Sequence, residues 1–231
     1  MKISLEFSKH ASSYDLLNTI QDKVADKLLS HVLSKPKNIL DLGCGNGSLC
    51  KKISWKYKHF VGVDFAPAML ELHPKSKKIE CIYGNFNDKE LFENLLTYKF
   101  DYIISSSALQ WAEDIEMIFR YIKRFDAPIA LAIFTDGTFR SINKTASLPS
   151  LLKNKKEIKE LALKYFDVSC EVVKYKLEFN SIRDMFKYIK KSGVSGARNI
   201  LNYKQTKELY RNYPLNYLEF EVVFITSFSK S

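Results

Sequence analysis

The sequence predicts an α/β fold, a doubly wound and mostly parallel seven-stranded sheet with a helical lid inserted before the last strand. Short apolar runs alternate with helix-compatible segments up to residue 137. These runs are too uniformly apolar to face water on either side, which is typical of parallel strands covered by helices. The first run ends in Asp41-Leu42 and leads directly into Gly43, Gly45 and Gly47, a pattern that predicts a strand, a tight turn and a helix.

Composition is that of an ordinary globular protein, because 231 residues with 46% hydrophobic content can bury one good core. No apolar run approaches the roughly 18 residues that a membrane span needs, and the start, MKISLEFSKH, lacks the apolar centre of a signal peptide. We therefore expect a cytoplasmic protein. Its four cysteines show no C-x-x-C spacing and its four histidines are scattered, so we expect reduced thiols and no metal.

The glycine turn is the central feature of the chain. Glycine suits it because the turn needs backbone angles that a Cβ disfavours and because a bound group must lie against the main chain. A helix that opens after such a turn points unpaired N–H groups at the ligand. A dinucleotide fingerprint, G-x-G-x-x-G, would need glycine at Ser48. The D-x-G-x-G-x-G form that begins at Asp41 instead resembles motif I of the class I S-adenosylmethionine-dependent methyltransferases. That resemblance implies that Asp41, Gly43, Cys44 and Gly45 hold the methionine end of the cofactor.

The first two elements of the chain flank this turn. Residues 7–32 have apolar positions at helical spacing and predict an amphipathic helix, whose start would fold over the cofactor in methyltransferases of this class. Residues 59–63 predict the second strand, and Asp64 at its end is placed to accept hydrogen bonds from ribose hydroxyls. Phe65 would lie on the adenine face. Asp64 is also a candidate N-cap for the helix that begins near Pro67, and both roles can hold together.

The next three strands carry further candidates. Residues 79–83 predict the third strand, followed by Asn85 and Phe86; the family has an acid at position 85, whereas an amide oxygen can accept the same adenine hydrogen bond. Residues 101–105 predict the fourth strand, before a helix over 114–124. The carboxyl end of that strand places Ser105 to Ser107 and Gln110-Trp111 at the reaction site. Residues 128–135 predict the fifth strand.

The remaining segment is Lys-rich, with helices predicted over 151–165 and 182–191, a strand over 171–179 and a terminal strand over 217–228. We divide the single domain into an N-terminal cap helix (1–35), a cofactor-binding core (36–137), a basic lid (138–215) and the last strand (216–231). Residues 138–231 hold 18 Lys and Arg against 9 Asp and Glu, whereas residues 1–137 hold 18 against 17. This asymmetry favours either an anionic partner or merely solvated lysine-rich helix faces.

Several blocks together resemble one subfamily, the BioC-type malonyl-acyl-carrier protein O-methyltransferases of biotin synthesis. They are Phe7-Ser8-x-x-Ala11-x-x-Tyr14 with Gln21, the LDLGCGNG turn, SSSALQW, and the C-terminal runs that begin SGVSGAR and LNYKQTKELYRNYPLNYLEFEVVF. The resemblance implies that a methyl group passes to the free carboxylate of a malonyl thioester on an acidic acyl-carrier protein. A carboxylate is ionised at neutral pH, with a pKa near ~3–4, so no general base is needed.

The resemblance also suggests which residues contact the acceptor. Arg198 is the first candidate to bind the substrate carboxylate, because arginine can bind both oxygens; Arg183 and Lys187 are alternatives. Tyr14 is a candidate to orient the acceptor near the sulfonium, and Trp111 to wall its pocket. A solvated arginine or a core tryptophan is the structural alternative for these residues.

Other functions remain open from sequence alone. The ALQW block is shared with the trans-aconitate methyltransferases, which act on small carboxylic acids without a carrier. The basic segment suggests an RNA methyltransferase, but no N-P-P-Y-type loop or RNA-binding appendage is present, so no nucleic-acid partner is expected. A cofactor-binding protein without catalysis is the non-enzymatic alternative. No membrane partner is expected, and a monomer is favoured without evidence on oligomeric state.

Overall fold

A computed structural model describes residues 19–192 and 203–228 of the chain. Helices and strands alternate through most of it. In chain order they are α1 (Thr19–Ser30), β1 (Asn38–Leu42), α2 (Ser48–Lys52), β2 (His59–Asp64), α3 (Pro67–Leu72), β3 (Ile79–Tyr83), α4 (Lys89–Leu95), β4 (Tyr102–Ser106), a 3₁₀ turn (Leu109–Trp111), α5 (Ile115–Arg124), β5 (Ile129–Phe134), α6 (Arg140–Thr145), α7 (Lys155–Tyr165), β6 (Val168–Glu178), α8 (Ile182–Ser192), α9 (Tyr203–Asn212) and β7 (Tyr217–Ser227).

The seven strands form one sheet in the order β3-β2-β1-β4-β5-β7-β6. Strands β1 to β5 are parallel to one another, whereas β7 is antiparallel to both β5 and β6. From β1 to β3 successive strands are added towards one edge of the sheet, and from β4 onwards they are added towards the other edge. The order of the strands therefore reverses between β1 and β4, which lie side by side and parallel. In such sheets the crevice outside the carboxyl ends of these two strands is where a ligand binds. The predicted fold class is therefore confirmed.

Helices cover the sheet on both faces because its strands are apolar on both sides. Leu40 and Leu42 of β1 pack in one buried cluster with α4, α5 and α7. Ile39, the residue before Leu40, packs in the other cluster with α1, α8 and α9. Alternate residues of one strand thus serve two cores, and the edge at which the strands end is left for the site.

Three of the covering helices have an N-cap residue whose side chain accepts a hydrogen bond from the backbone of the first turn. Asp88 accepts from Glu90 N, Asp114 from Met117 N and Asn154 from Glu157 N. Each satisfies one of the N–H groups that a helix start leaves unpaired.

The segment predicted as a basic lid, residues 138–215, contributes one strand to the sheet and several helices that pack beside it. Ile158 and Ala162 of α7 are buried in the same cluster as the central strands, and β6 pairs with β7 along its whole length. Residues 155–178 thus complete the core, and α8 and α9 form the helical insertion before the last strand. Helix α6 was not predicted.

The N-terminal helix is described only from Thr19, so the predicted part before it lies outside the described residues, as does the SGVSGAR block after its first residue. None of the helices in the described ranges is both long and apolar enough to cross a bilayer. All four cysteines are free thiols.

Candidate active site

A cleft lies at the carboxyl edge of the sheet, where β1, β2 and β4 end. It encloses about 720 Å³ including its open mouth. The glycine turn forms its floor, and α1, α3 and the segment after β4 form its walls. The lining residues are Gln21, Ala25, Asp41, Gly43, Cys44, Gly45, Asn46, Ser48, Leu49, Asp64, Phe65, Met69, Ser106, Ser107, Ala108 and Trp111.

The turn is tied to the neighbouring strand and left-handed at each glycine. The N–H groups of Gly43 and Cys44 both donate to the carbonyl of Val63, at 2.8 and 2.9 Å. Gly43, Gly45 and Gly47 have φ of 76°, 53° and 80°. A Cβ on Gly43 would lie 2.2 Å from the Cβ of Ala108, whereas one on Gly45 would meet nothing within 4 Å. Gly43 is therefore required by packing, and Gly45 presents bare backbone to the cleft.

Asp64 is anchored by the backbone at both oxygens. Its Oδ2 accepts from Gly45 N and its Oδ1 from Ala66 N, each at 2.9 Å. Burial raises the pKa of this carboxyl, and the N–H groups of Ala66, Gly45 and Phe65 oppose that shift. The N-cap of α3 is Ala66, without a side-chain hydrogen bond, so the predicted capping role of Asp64 is wrong. Asp64 lines the cleft together with Phe65.

Asp41 has the opposite environment. It is 1% exposed, and neither carboxylate oxygen has a hydrogen-bond partner among the described residues. Burial first, and then the charge of Asp64, raise the pKa of Asp41 well above its usual value. The amide oxygen of Gln21 on α1 is also buried without a partner in the described ranges. Asp41 and Gln21 thus offer acceptors to the cleft that nothing in the described protein satisfies.

These features fit the S-adenosylmethionine predicted from sequence. Unsatisfied acceptors at Asp41 and Gln21 suit the ammonium group of a methionyl moiety. Gly45 presents backbone without a side chain, and Asp64 is a fixed carboxylate that can accept from two neighbouring hydroxyls.

The segment after β4 corrects one predicted site residue. The Ser105 hydroxyl is buried and donates to the carbonyl of Leu42 at 2.6 Å, so it fastens β4 to β1 and does not line the cleft. Ser106 and Ser107 line it instead, and Ser107 is left-handed with φ of 59°. The carbonyl of Ser107 accepts from Gln110 Nε2 at 2.6 Å, which supports this strained turn.

The predicted adenine contacts are only partly at the cleft. Phe65 lines it. Trp111, the predicted wall of the acceptor pocket, lines the cleft as well. Asn85 is exposed, is not among the lining residues, and its amide oxygen accepts from Asn87 N. Phe86 is buried beneath the turn rather than in the lining, and one of its ring carbons lies 3.7 Å from a Cβ placed on Gly43.

The candidates for binding the acceptor have different outcomes. Tyr14 and Arg198 lie outside the described residues, so their roles remain predictions. Arg183 and Lys187 are exposed on α8 and do not line the cleft; Lys187 instead pairs with Asp184 at 3.6 Å.

Sequence reasoning missed part of the lining. Asn46 is 2% exposed within the turn, at a position that the glycine motif leaves open. Gln21 was noted in the N-terminal block but not assigned to the cofactor, and Met69 was not considered. For Asn46, its place within the glycine motif could have indicated a lining residue. For Gln21, the indication was its position four residues before Ala25, which places both on one face of the helix.

A second polar cluster lies at the same edge of the sheet, beyond β5. Glu221 of β7 has a side chain only 5% exposed. It accepts from Thr135 Oγ1 at 2.8 Å and from Lys155 Nζ at 2.9 Å, and Lys174 lies at 3.9 Å. Burial raises its pKa, but the hydrogen bonds from Lys155 and Thr135 and both lysine charges outweigh this and leave the pKa lowered. The cluster joins α7 to the sheet. No group of three or more potential metal ligands occurs in the described ranges.

Comparison with known proteins matches the same part of the chain. A family model described as a methyltransferase domain matches residues 33–188. The malonyl-acyl-carrier protein O-methyltransferase of Acetivibrio thermocellus is 26% identical, over 99% of this chain and 93% of its own length. Enzyme 1 of that name from Ilyobacter polytropus is 27% identical, over 91% and 86%.

Solved structures share the fold. The YcgJ protein of Bacillus subtilis has a TM-score of 0.60 at 13% identity, covering 89% of this chain and 98% of its own. Phosphoethanolamine N-methyltransferase 2 of Haemonchus contortus, solved in complex with S-adenosyl-L-methionine, has a TM-score of 0.50 at 14% identity, covering 93% and 59%. The chain therefore belongs to the methyltransferase domain family, as a class I methyltransferase whose cofactor is S-adenosyl-L-methionine.

Proposed function

We propose that this protein methylates the free carboxylate of a malonyl thioester carried by acyl-carrier protein. The observation that carries the proposal is the end-to-end similarity to relatives of that name, which includes the segments before and after the common methyltransferase core. The glycine turn and its acids are shared by the whole superfamily, so they support the cofactor rather than the acceptor.

The chemistry of the cleft agrees with a carboxylate acceptor. When bound, the cofactor supplies an electrophilic methyl group. Among the described residues, the lining of the cleft contains no His, Lys, Arg or Tyr. A carboxylate, with a pKa of about 3–4 as a free acid, needs no base to remove a proton at neutral pH. The task of the protein is then to orient the acceptor and exclude water, for which Trp111 and Met69 offer apolar walls.

The acceptor carboxylate still needs a cation, and we assign this role to Arg198, since a guanidinium can bind both oxygens. Tyr14 is assigned to the approach of the acceptor to the methyl group, and Trp111 to its pocket. The basic C-terminal part, with 18 Lys and Arg against 9 Asp and Glu, suits an acidic carrier protein, because complementary charge speeds and orients encounter.

The direct test is transfer of labelled methyl from S-adenosyl-L-methionine to purified malonyl-acyl-carrier protein, beside carrier without the malonyl group, free malonate and trans-aconitate. We expect label on malonyl-carrier only. Arg198→Lys keeps the charge but loses the bidentate geometry, and we expect it to reduce kcat/KM strongly. Label on the free acids alone would overturn the acceptor assignment in favour of the small-acid alternative.

The non-catalytic alternative has its own signature. Tight cofactor binding without turnover on any acyl carrier would favour it. Complementation of a biotin-synthesis defect by the intact chain, and its loss with Tyr14→Phe, is the matching test in cells.

A further inference from the structure

Two carboxylates share the cofactor cleft but differ in their hydrogen-bond partners. Asp64 accepts from the N–H groups of Gly45 and Ala66. Asp41, 1% exposed, has no partner at either oxygen in the described part of the chain. The two acids lie on adjacent strands, Asp41 on β1 and Asp64 on β2. Asp41 is in register with Gly62, and Asp64 lies two residues further along β2. One acid is therefore stabilised as an anion and the other is not.

An isolated carboxylate in such a place is unstable. Removing an ionised group from water without hydrogen bonds or a counter-charge costs so much free energy that the group takes up a proton instead. A second carboxylate nearby adds to this, because two like charges in one site cannot both ionise readily. The proton belongs on Asp41, since Asp64 has the N–H donors that favour its charged form.

We propose that Asp41 carries a proton in the cofactor-free protein and releases it to water when S-adenosyl-L-methionine binds. The methionyl end of the cofactor brings an ammonium group with three N–H donors and no acceptor. The unsatisfied oxygens in the cleft are those of Asp41 and Gln21. An ammonium placed there supplies both the donors and the counter-charge that the ionised form of Asp41 lacks. The proposal depends on the cofactor and not on the identity of the methyl acceptor.

The other groups around Asp41 leave it as the site of this proton. Its electrostatic neighbours in the described residues are Asp64 on β2, Cys44 in the turn and Cys50 on α2. Burial raises the pKa of both thiols, so they are neutral near pH 7. Gln21 from α1 and Ser106 from the end of β4 carry no charge. Asp64 is thus the charged neighbour, and it opposes ionisation of Asp41.

Calorimetry of cofactor binding counts the proton. Titration of the full chain with S-adenosyl-L-methionine at one pH, in buffers of different ionisation enthalpy, gives the number of protons exchanged from the slope of heat against that enthalpy. We expect a release that approaches one proton per cofactor. As pH rises, the Kd is expected to fall by up to tenfold per pH unit, until Asp41 is already ionised in the cofactor-free protein. Binding without exchange, or with proton uptake, would overturn the proposal.

Variants assign the proton to Asp41. Asp41→Asn keeps the shape and neutrality of the protonated acid, and we expect it to fold and to bind without proton release. Glu71→Gln, an exposed carboxyl-to-amide change on α3, is the matched control and should release the same proton as the wild type. Release that persists in Asp41→Asn would assign the proton elsewhere and overturn the proposal.

Unfolding of the cofactor-free protein tests the same point without any binding. An acid whose folded-state pKa is raised destabilises the fold increasingly as pH rises from its unfolded value, about 3.9, through its folded value. The Tm of Asp41→Asn should therefore exceed that of the wild type more at pH 8 than at pH 5, whereas Glu71→Gln should track the wild type. Equal Tm differences at both pH values would contradict a protonated Asp41.

Discussion

Alanine at Gly45 separates what the glycine turn does for the fold from what it does for the cofactor. A Cβ there meets nothing within 4 Å in the protein, so the cost to folding is that of a left-handed residue at φ of 53°, about 1–2 kcal/mol. For a domain of this size that lowers Tm by about 2–8 °C. The added methyl group nevertheless stands over the backbone against which we propose that the cofactor lies.

The expected loss is therefore in binding. Saturation at 100 times Kd stabilises a protein by about 2.7 kcal/mol, which raises the wild-type Tm by about 5–10 °C. In Gly45→Ala we expect most of this ligand-induced shift to disappear, in thermal unfolding with and without S-adenosylhomocysteine. A full shift in this variant would show that the ligand does not lie against Gly45.

Gly43→Ala is the matched comparison. Its Cβ would lie 2.2 Å from that of Ala108, so overpacking adds about 1–3 kcal/mol to the same backbone cost. We expect Gly43→Ala to lower the Tm of the ligand-free protein more than Gly45→Ala does. The reverse order would refute the packing argument.

Other substitutions test the surroundings of the cleft. Ser105→Ala should lower the free energy of unfolding by about 0.5–1.5 kcal/mol, because it removes a buried hydrogen bond to the carbonyl of Leu42. It should change the cofactor Kd by less than about threefold; urea unfolding and calorimetry measure the two effects. Lys155→Met should lower the free energy of unfolding by about 1–2 kcal/mol. The loss is smaller than for a fully buried ion pair, because Lys155 is partly exposed. The control Lys156→Met, at an exposed lysine, should change the free energy of unfolding by no more than about 0.5 kcal/mol. The lowered pKa of Glu221 stabilises the fold above its unfolded pKa of about 4.3, and this contribution is lost as pH falls through the folded value. Glu221→Gln should therefore flatten the acid side of the stability profile.

Sequence reasoning was most successful where one physical cause dominated. The strands of the sheet were found because burial on both faces made them apolar, and the turn because its left-handed angles require glycine. Asp64 followed from its place at the end of the second strand, and Asp41 from the resemblance of the turn to motif I.

The misses have physical reasons too. At the end of β4 side chains alternate direction, and only the register with β1 shows that Ser105 faces Leu42 while Ser106 faces the cleft. The Lys-rich composition of α7 hid the core contacts of Ile158 and Ala162. No local pattern indicates that Glu221, in an apolar strand, meets Thr135, the residue that follows β5.

The central claim is that the cofactor lies against the glycine turn, between Asp41 and Asp64. A crystal structure of the protein with S-adenosylhomocysteine tests it most directly. We expect the ribose hydroxyls on Asp64, the adenine beside Phe65, the chain of the ligand over Gly45 and its ammonium near Asp41 and Gln21. A ligand bound elsewhere, or a cleft filled by the protein's own side chains, would contradict the account.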